Sequence, residues 1–139
     1  MNLKYLLDTN IISESMRPSP HPQVVNKFRI NKLKICTATV VIHELLYGCW
    51  RLPESKRRNF FEEYINDLIL NIPVLNYDLK SAQYHAQERN RLSKIGKTAS
   101  FIDSKMASIA VTNNLILVTN NVVDFENFED LKLENWFVE

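Results

Sequence analysis

The sequence predicts an α/β fold with a mostly parallel sheet flanked by helices. Short apolar runs typical of buried strands alternate with longer segments that have helical periodicity. Strands separated by helices form βαβ units, whose right-handed crossovers produce a parallel sheet. The length of 139 residues is typical of one domain, and we expect residues 1–139 to form it.

The elements follow one another in a regular order. We expect strands over 3–7, 34–38, 72–76 and 115–119, and a last short strand near Trp136-Phe137. Helices are expected over 10–16, 22–31, 39–51, 54–70, 78–94 and 101–113. The clearest of them is 54–70, in which Phe60, Phe61, Tyr64, Ile65 and Leu68 recur at helical spacing.

Composition excludes several classes of protein. No apolar run approaches 18 residues, so no membrane span is expected, and the N-terminus lacks the pattern of a secretory signal. Cys36 and Cys49 lack metal-site spacing, and we expect them to be apolar filler in a reduced, cytoplasmic protein. With only two glycines, the chain has no Gly-rich phosphate loop.

The net charge of +1 conceals an uneven distribution of charge. Residues 1–119 carry 16 Lys/Arg and 10 Asp/Glu, whereas residues 120–139 carry one Lys/Arg and six Asp/Glu. Basic residues cluster within 27–34, 51–58 and 89–97, a pattern that suits a polyanionic partner. Solvated helix faces give the same pattern, so the charges alone leave both interpretations open.

Three acidic residues occupy positions from which a parallel sheet could bring them to one edge. Asp8 directly follows the first strand, Glu44 lies at the edge of an apolar helical arc, and Asp103 begins the helix before the LILVT strand. Each has a structural alternative. Asp8 is a favoured helix N-cap, Glu44 could reach solvent, and Asp103 completes a capping box with Ser100.

A fourth polar group follows the LILVT strand. Thr119 and Asn121 could hold water or ligand at the same edge, and Asp124 could add a charge or only cap a turn. Three or four carboxylates at one edge raise each other's pKa, and a hard divalent cation removes that conflict. Oxygen ligands favour Mg²⁺ or Mn²⁺, and no His/Cys set has zinc spacing.

With these residues, the chain resembles the PIN-domain ribonucleases, specifically the VapC-like toxins of bacterial type II toxin–antitoxin pairs. The resemblance covers essentially the whole chain. It rests on LLDTNIIS at 6–13, TATVVIHELLYG at 37–48, FIDSKMASIA at 101–110, LILVTNNVVDFENF at 115–128 and LKLENW at 131–136. It implies a five-stranded parallel α/β/α sandwich and a Mg²⁺- or Mn²⁺-dependent endoribonuclease that hydrolyses RNA, with a structured RNA such as tRNA as the expected substrate.

The resemblance also implies roles for individual residues. Asp8, Glu44 and Asp103 correspond to the three main acids and metal ligands, and Thr9 and Thr119 to supporting hydroxyls. Many relatives carry Asp where this chain has Asn121, and Asp124 occupies the later acidic position of the same motif. The number of charges, and so of metal ions, stays open at this point.

RNA and protein partners follow from the same resemblance. The expected RNA-binding side chains are basic: Arg51, Lys56, Arg57, Arg58, Arg89, Arg91, Lys94 and Lys97. We expect a homodimer, which could be part of a larger toxin–antitoxin assembly. We also expect a cognate antitoxin whose C-terminal segment covers the active-site groove. The main alternative is a metal- or nucleic-acid-binding α/β module without catalysis, which the neutral Asn121 keeps open. A metal-dependent phosphatase is disfavoured because Asn10 stands where such enzymes need a second Asp.

Overall fold

A five-stranded parallel sheet forms the centre of the molecule. The computed structural model describes residues 2–138. Its strands are β1 (Tyr5–Leu7), β2 (Ile35–Ala38), β3 (Val74–Leu75), β4 (Ile116–Val118) and β5 (Lys132–Glu134). They lie in the order β3-β2-β1-β4-β5, and every neighbouring pair is parallel. The predicted fold class is therefore confirmed.

Helices connect the strands and flank the sheet. Within residues 2–138 they are α1 (Thr9–Ser15), α2 (Pro22–Ile30), α3 (Thr39–Trp50), α4 (Lys56–Asn71), α5 (Leu79–Lys94), α6 (Phe101–Thr112) and α7 (Val122–Phe125). Helix α3 packs against α1 and α4, and α5 packs along α6. None of these helices is long and apolar enough to cross a membrane.

The strand order creates a topological switch point between β1 and β4. The chain runs outward from β1 through β2 to β3, then returns to place β4 on the other side of β1. In such sheets, a crevice opens at the carboxyl ends of the two strands where the direction reverses. Asp8 directly follows β1, and Thr119 directly follows β4, so both residues lie at this point.

The core is built around the central strands and closed by the C-terminal segment. Leu6, Leu7 and Leu117 are fully buried, because β1 and β4 have helices on both faces. Trp136 is also fully buried, with its ring edge-to-face on Tyr5 at 5.3 Å between centroids. Burial of this indole ties the end of the chain to the first strand.

Two sequence predictions fail near the C-terminus. The last strand was expected near Trp136-Phe137, but β5 comprises residues 132–134, and Trp136 packs in the core beyond it. Helix α7, at 122–125, was not expected at all. A helix of four residues carries too little periodicity to be recognised, and a three-residue edge strand gives no clear alternation. The other predicted elements are confirmed, with their ends shifted by up to a few residues.

Local signals position the two helices that matter most for the site. Asp8 is the N-cap of α1, and its Oδ1 accepts a hydrogen bond from Thr9 N at 2.8 Å. Ser100 caps α6, and its hydroxyl accepts from Asp103 N at 3.0 Å. Gly96 has φ of 73°, a left-handed conformation that lets the chain turn after α5 towards α6.

Candidate active site

Asp8 is buried at the switch point and is held by three donors. Only 9% of the residue is exposed. Its Oδ1 accepts from Thr9 N, while its Oδ2 accepts from the Thr119 hydroxyl at 2.8 Å and from Asn10 Nδ2 at 3.0 Å. The carboxylate is therefore fixed in one orientation by groups that follow β1 and β4.

Asn10 and Thr119 form the frame around that carboxylate. Asn10 Oδ1 accepts from Asn120 N at 2.9 Å, and the Thr119 hydroxyl accepts from Asn121 N at 3.0 Å. These bonds join the loop after β1 to the loop after β4. The predicted supporting residue Thr119 lies where expected, whereas Asn121 contacts the frame through its backbone and its side chain is exposed.

Asn10 is a residue of this site that the sequence analysis missed. In the sequence, Asn10 is notable only because it stands where a metal-dependent phosphatase needs its second aspartate. Its spacing from Asp8, i to i+2 at the end of a buried strand, is the signal that could have found it, because Asx side chains readily bond to neighbouring polar groups.

The charged groups of the site repel one another. Burial raises the pKa of Asp8 above its usual value, although the Thr119, Thr9 and Asn10 donors act in the opposite direction, and the charge of Asp124 adds to the rise. Burial also raises the pKa of Asp103, which the Ser100 hydrogen bond partly offsets and the charges of Asp8 and Asp124 increase. Asp8, Asp103 and Asp124 therefore share one electrostatic environment.

Glu44 belongs to a neighbouring part of the same crevice. Its side chain is 29% exposed, and it lines a cavity of about 1340 Å³ together with Thr9, Asn10 and Asn120. Gly48, one turn further along α3, leaves open space on this cavity wall. Asp8, Asp103 and Asp124 do not line this cavity, so Glu44 reaches the site from the side of Thr9 and Asn10.

The donor set fits a partly hydrated divalent cation. Within residues 2–138, no three His, Cys, Asp or Glu side chains come together as a ready-made ion site. The charges of buried Asp8, half-buried Asp103 and exposed Asp124 nevertheless repel one another, which is the condition that a cation relieves. Mg²⁺ commonly binds through one or two carboxylates and keeps several waters, so a complete protein cage is unnecessary.

Two basic residues of the 51–58 cluster lie along the cavity of about 1340 Å³ that Glu44 lines, hereafter called the larger cavity. Lys56 and Arg57 line it, and Arg57 also sits 5.3 Å from the centroid of Phe61. The Arg51 guanidinium stacks over Tyr47 at 4.8 Å, and Arg58 donates to the Leu52 carbonyl at 3.5 Å. Arg51, Lys56 and Arg57 are exposed, which is compatible with the predicted role in RNA binding.

The 89–97 cluster divides into two kinds of residue. Arg91 binds Glu88 in a bidentate ion pair with both N···O distances at 2.8 Å, and it also donates to the Asn127 carbonyl. This pairing gives Arg91 a structural role between α5 and the chain after α7. Arg89, Lys94 and Lys97 are exposed at the surface.

The fold and this site together define the class of protein. A family model for the PIN domain matches residues 5–131, and the chain belongs to the PIN-domain family. It is 35% identical to the tRNA(fMet)-specific endonuclease VapC of Shigella flexneri, over 96% of this chain and 98% of that protein. It is 30% identical to toxin FitB of Neisseria gonorrhoeae, over 86% of this chain and 89% of that protein.

A solved structure of similar fold agrees with these relatives. The chain is similar to a protein in the crystal structure of DNA-bound VapBC from Salmonella typhimurium. The TM-score is 0.85 at 28% identity, covering 96% of this chain and 98% of that one. The predicted membership of the PIN-domain family, with VapC proteins as relatives, is thereby confirmed.

Proposed function

We propose that this protein is a metal-dependent endoribonuclease toxin that acts in the cytoplasm and is neutralised by a cognate antitoxin. The observation that carries the proposal is the repelling group of Asp8, Asp103 and Asp124 at the switch point, with Asp8 fixed by three donors. Capping of α1 accounts for Asp8 alone and does not explain why two further carboxylates lie close enough to disfavour its ionised form.

The relatives support an RNA substrate. The similar VapC of Shigella flexneri is a tRNA(fMet)-specific endonuclease, and we carry over to this chain the broader activity, cleavage of a structured RNA such as tRNA. The similar FitB is a toxin, which supports growth inhibition as the biological effect.

The acids would divide the chemistry between them. Asp8 and Asp103 would hold Mg²⁺ or Mn²⁺, Glu44 would bind it directly or through water, and Asp124 would add charge at the margin. When bound, the metal lowers the pKa of water and offsets charge that grows on the phosphoryl oxygens. Glu44, reaching in from α3, would orient the attacking water. In-line displacement of the 3′ oxygen would leave a 5′-phosphate and a 3′-hydroxyl.

The larger cavity supports the proposal of a protein partner. Its wall combines the acidic edge at Glu44 with the apolar side chains of Leu45, Leu52, Phe60 and Phe61. Phe60 is 53% exposed and lies beside these other apolar side chains, and a contiguous apolar surface is typical of a site that a protein partner covers. We propose that the C-terminal segment of the antitoxin covers this groove, in a homodimer or a larger toxin–antitoxin assembly.

Controlled expression tests the function. Induction of the wild-type protein without its antitoxin should arrest growth, and sequencing of RNA 5′ ends should show new phosphorylated ends at a restricted set of sites. Asp8→Asn should abolish both effects while the protein accumulates to the same level. New RNA ends that persist with Asp8→Asn would refute the assigned site. Tight RNA binding without cleavage by the wild type would favour the non-catalytic module.

A further inference from the structure

A second, smaller cavity lies beside the first turn of α6. Its volume is about 300 Å³, and it opens between α5 and the loop that leads to α6. Its lining includes the cations Arg89 and Lys97, the hydroxyls of Ser93 and Ser104, and two aromatic rings, Phe101 and His85. Within residues 2–138 no carboxylate lines it. The lining therefore suits a ligand that has both an anionic and a flat apolar part.

Phe101 is the aromatic wall of this cavity and is held firmly in place. Its ring packs edge-to-face on His85, with 4.8 Å between centroids. His85 is buried, and its Nδ1 is 2.7 Å from the Tyr77 hydroxyl, so the support beneath the ring is rigid. Phe101 is nevertheless 52% exposed. A supported aromatic ring with an open surface can serve as a stacking platform.

Cations surround the same ring. The Arg89 guanidinium carbon is 5.7 Å from the centroid of Phe101, and Lys105 Nζ is 5.0 Å from it. Burial lowers the pKa of His85, and the positive charges of Arg89 and Lys105 lower it further, in agreement with a positive potential at this position. A phosphate would be attracted to this cavity from solution.

The first turn of α6 carries residues of both the cavity and the candidate active site. Phe101 and Ser104 line the cavity, whereas Asp103 does not. Side chains two residues apart point to different sides of a helix, so the cavity and the acids of the switch point lie on different sides of this turn. An RNA strand that passes across the turn would contact both of them.

We propose that this cavity is a nucleotide subsite, in which a base of the RNA strand that enters the active site stacks on Phe101 and its phosphate binds Arg89 and Lys97. The inference rests on the proposed ribonuclease function and makes it more specific. Stacking tolerates any base, whereas the position of the ring fixes where the strand can be cut. Phe101 would thus help to select the cleavage register.

Abasic substitution in a single-stranded RNA tests the subsite. The probe is a fluorescein-labelled oligonucleotide, and binding is followed by anisotropy with the protein inactivated by Asp8→Asn. Removing the base at one position should weaken binding about 5- to 150-fold, the size expected for one stacked base. With Phe101→Leu added, affinity for intact RNA should fall by a similar factor, and the abasic probe should bind no more weakly than intact RNA.

Matched variants separate stacking from general effects. Phe101→Tyr keeps the aromatic ring and should retain both the affinity and the sensitivity to the abasic position. Arg89→Gln should reduce the slope of log affinity against log salt by about 0.7, the value for one lost contact to single-stranded nucleic acid. Leu79→Ala and Lys80→Gln, exposed at the start of α5 and outside both cavities, provide a matched apolar and a matched basic control, with no change expected.

The outcomes distinguish the subsite from the proposed function. One outcome is that the wild type cleaves RNA, while the protein with both Asp8→Asn and Phe101→Leu binds intact and abasic RNA with the same two affinities as the protein with Asp8→Asn alone. In that case the subsite is refuted and the proposed function stands. If Phe101→Leu instead changes the oligomeric state in light scattering, Phe101 belongs to an interface between copies and the subsite is again refuted. If the wild type neither binds nor cleaves RNA, both proposals fail.

Discussion

Asp8 combines a structural role with the chemical role proposed for it. It caps α1 through Oδ1, while Oδ2 receives donors from both loops of the switch point. Burial still raises its pKa, so the ionised form is less favourable in the folded protein than in the unfolded chain. Protonated Asp8 therefore contributes to the free energy of unfolding at pH values below its usual pKa of 3.8. That contribution is lost as pH rises through the pKa of Asp8 in the folded protein. At neutral pH, a bound cation would offset that loss.

Thr119→Val tests the frame around Asp8. Valine keeps the shape of threonine but removes the hydroxyl that donates to Asp8 at 2.8 Å and accepts from Asn121 N at 3.0 Å. The free energy of unfolding should fall by about 1–3 kcal/mol, because buried polar groups lose their partners. RNA cleavage should fall about 10- to 100-fold, as for other residues that orient metal ligands. Urea denaturation and initial cleavage rates measure the two effects.

The pH profile gives this variant a second readout. Loss of the Thr119 donor should raise the pKa of Asp8 further, so the acid limb of the cleavage profile should move to higher pH. Thr39→Val, at an exposed position, controls for the loss of a hydroxyl. An unchanged acid limb would contradict the role assigned to Thr119.

Single residues of the site could be predicted to different degrees. Asp8 and Thr119 could be found because each directly follows an apolar strand, and a parallel sheet brings such positions together. For Asn10 the spacing from Asp8 predicts only the local bond to that carboxylate, because its bonds to Thr119 and Asn120 depend on which strands are neighbours. Asp124 shares the electrostatic environment of Asp8 and Asp103, but its role in the site stays a prediction.

At the scale of elements, the C-terminal segment is held chiefly by one side chain. Trp136 is fully buried against Tyr5 and Phe28, and its Nε1 donates to Glu134 at 2.9 Å. Trp136→Ala should lower the free energy of unfolding by about 3–5 kcal/mol, the usual effect of deleting a large aromatic from a core. Chemical denaturation followed by circular dichroism measures it.

Trp50 provides the matched control for this prediction. It is 53% exposed, and its Nε1 bonds to Glu62 at the surface. Trp50→Ala should therefore change the free energy of unfolding by about 1 kcal/mol or less. Equal effects of the two substitutions would show that Trp136 does not anchor the C-terminal segment.

The same segment shows why some elements escape prediction. Strand β5 pairs with β4 at the edge of the sheet, and only three of its residues enter the ladder. The burial of Trp136 depends on contacts with β1 and α2, which are remote in the chain. Long helices such as α4 and α5 were predictable because their apolar spacing repeats over several turns.

The whole molecule has a basic body and an acidic C-terminal part. The larger cavity has charges of both signs, because Lys56 and Arg57 line it together with Glu44. RNA binding should weaken as salt rises, because bound phosphates release counterions. For the double variant Lys56→Gln, Arg57→Gln, the slope of log affinity against log salt should decrease by about 0.7 for each lost contact.

Anisotropy titrations with Asp8→Asn protein over a series of KCl concentrations measure this slope. Lys32→Gln with Lys34→Gln removes the same charge from exposed positions outside both cavities and serves as the control. A double variant at Lys56 and Arg57 whose slope equals that of the control would place the RNA elsewhere on the molecule.

The order of the strands is a property of the whole molecule that the sequence alone leaves undetermined. Apolar runs predict which segments are strands, but several orders satisfy the rule of right-handed crossovers. The resemblance to a known family supplied the five-stranded arrangement that the structure confirms. The switch point between β1 and β4 then explains why Asp8 and Thr119 meet.

The central claim is that the aspartates at the switch point hold a divalent cation that RNA cleavage requires. The most direct test measures cleavage of a labelled RNA by protein shown to be metal-free, before and after addition of Mg²⁺ or Mn²⁺. The account predicts no cleavage without metal, full recovery with it, and at least about a 100-fold lower rate for Asp103→Asn at the same metal concentration. Cleavage at the wild-type rate by the metal-free protein would contradict it.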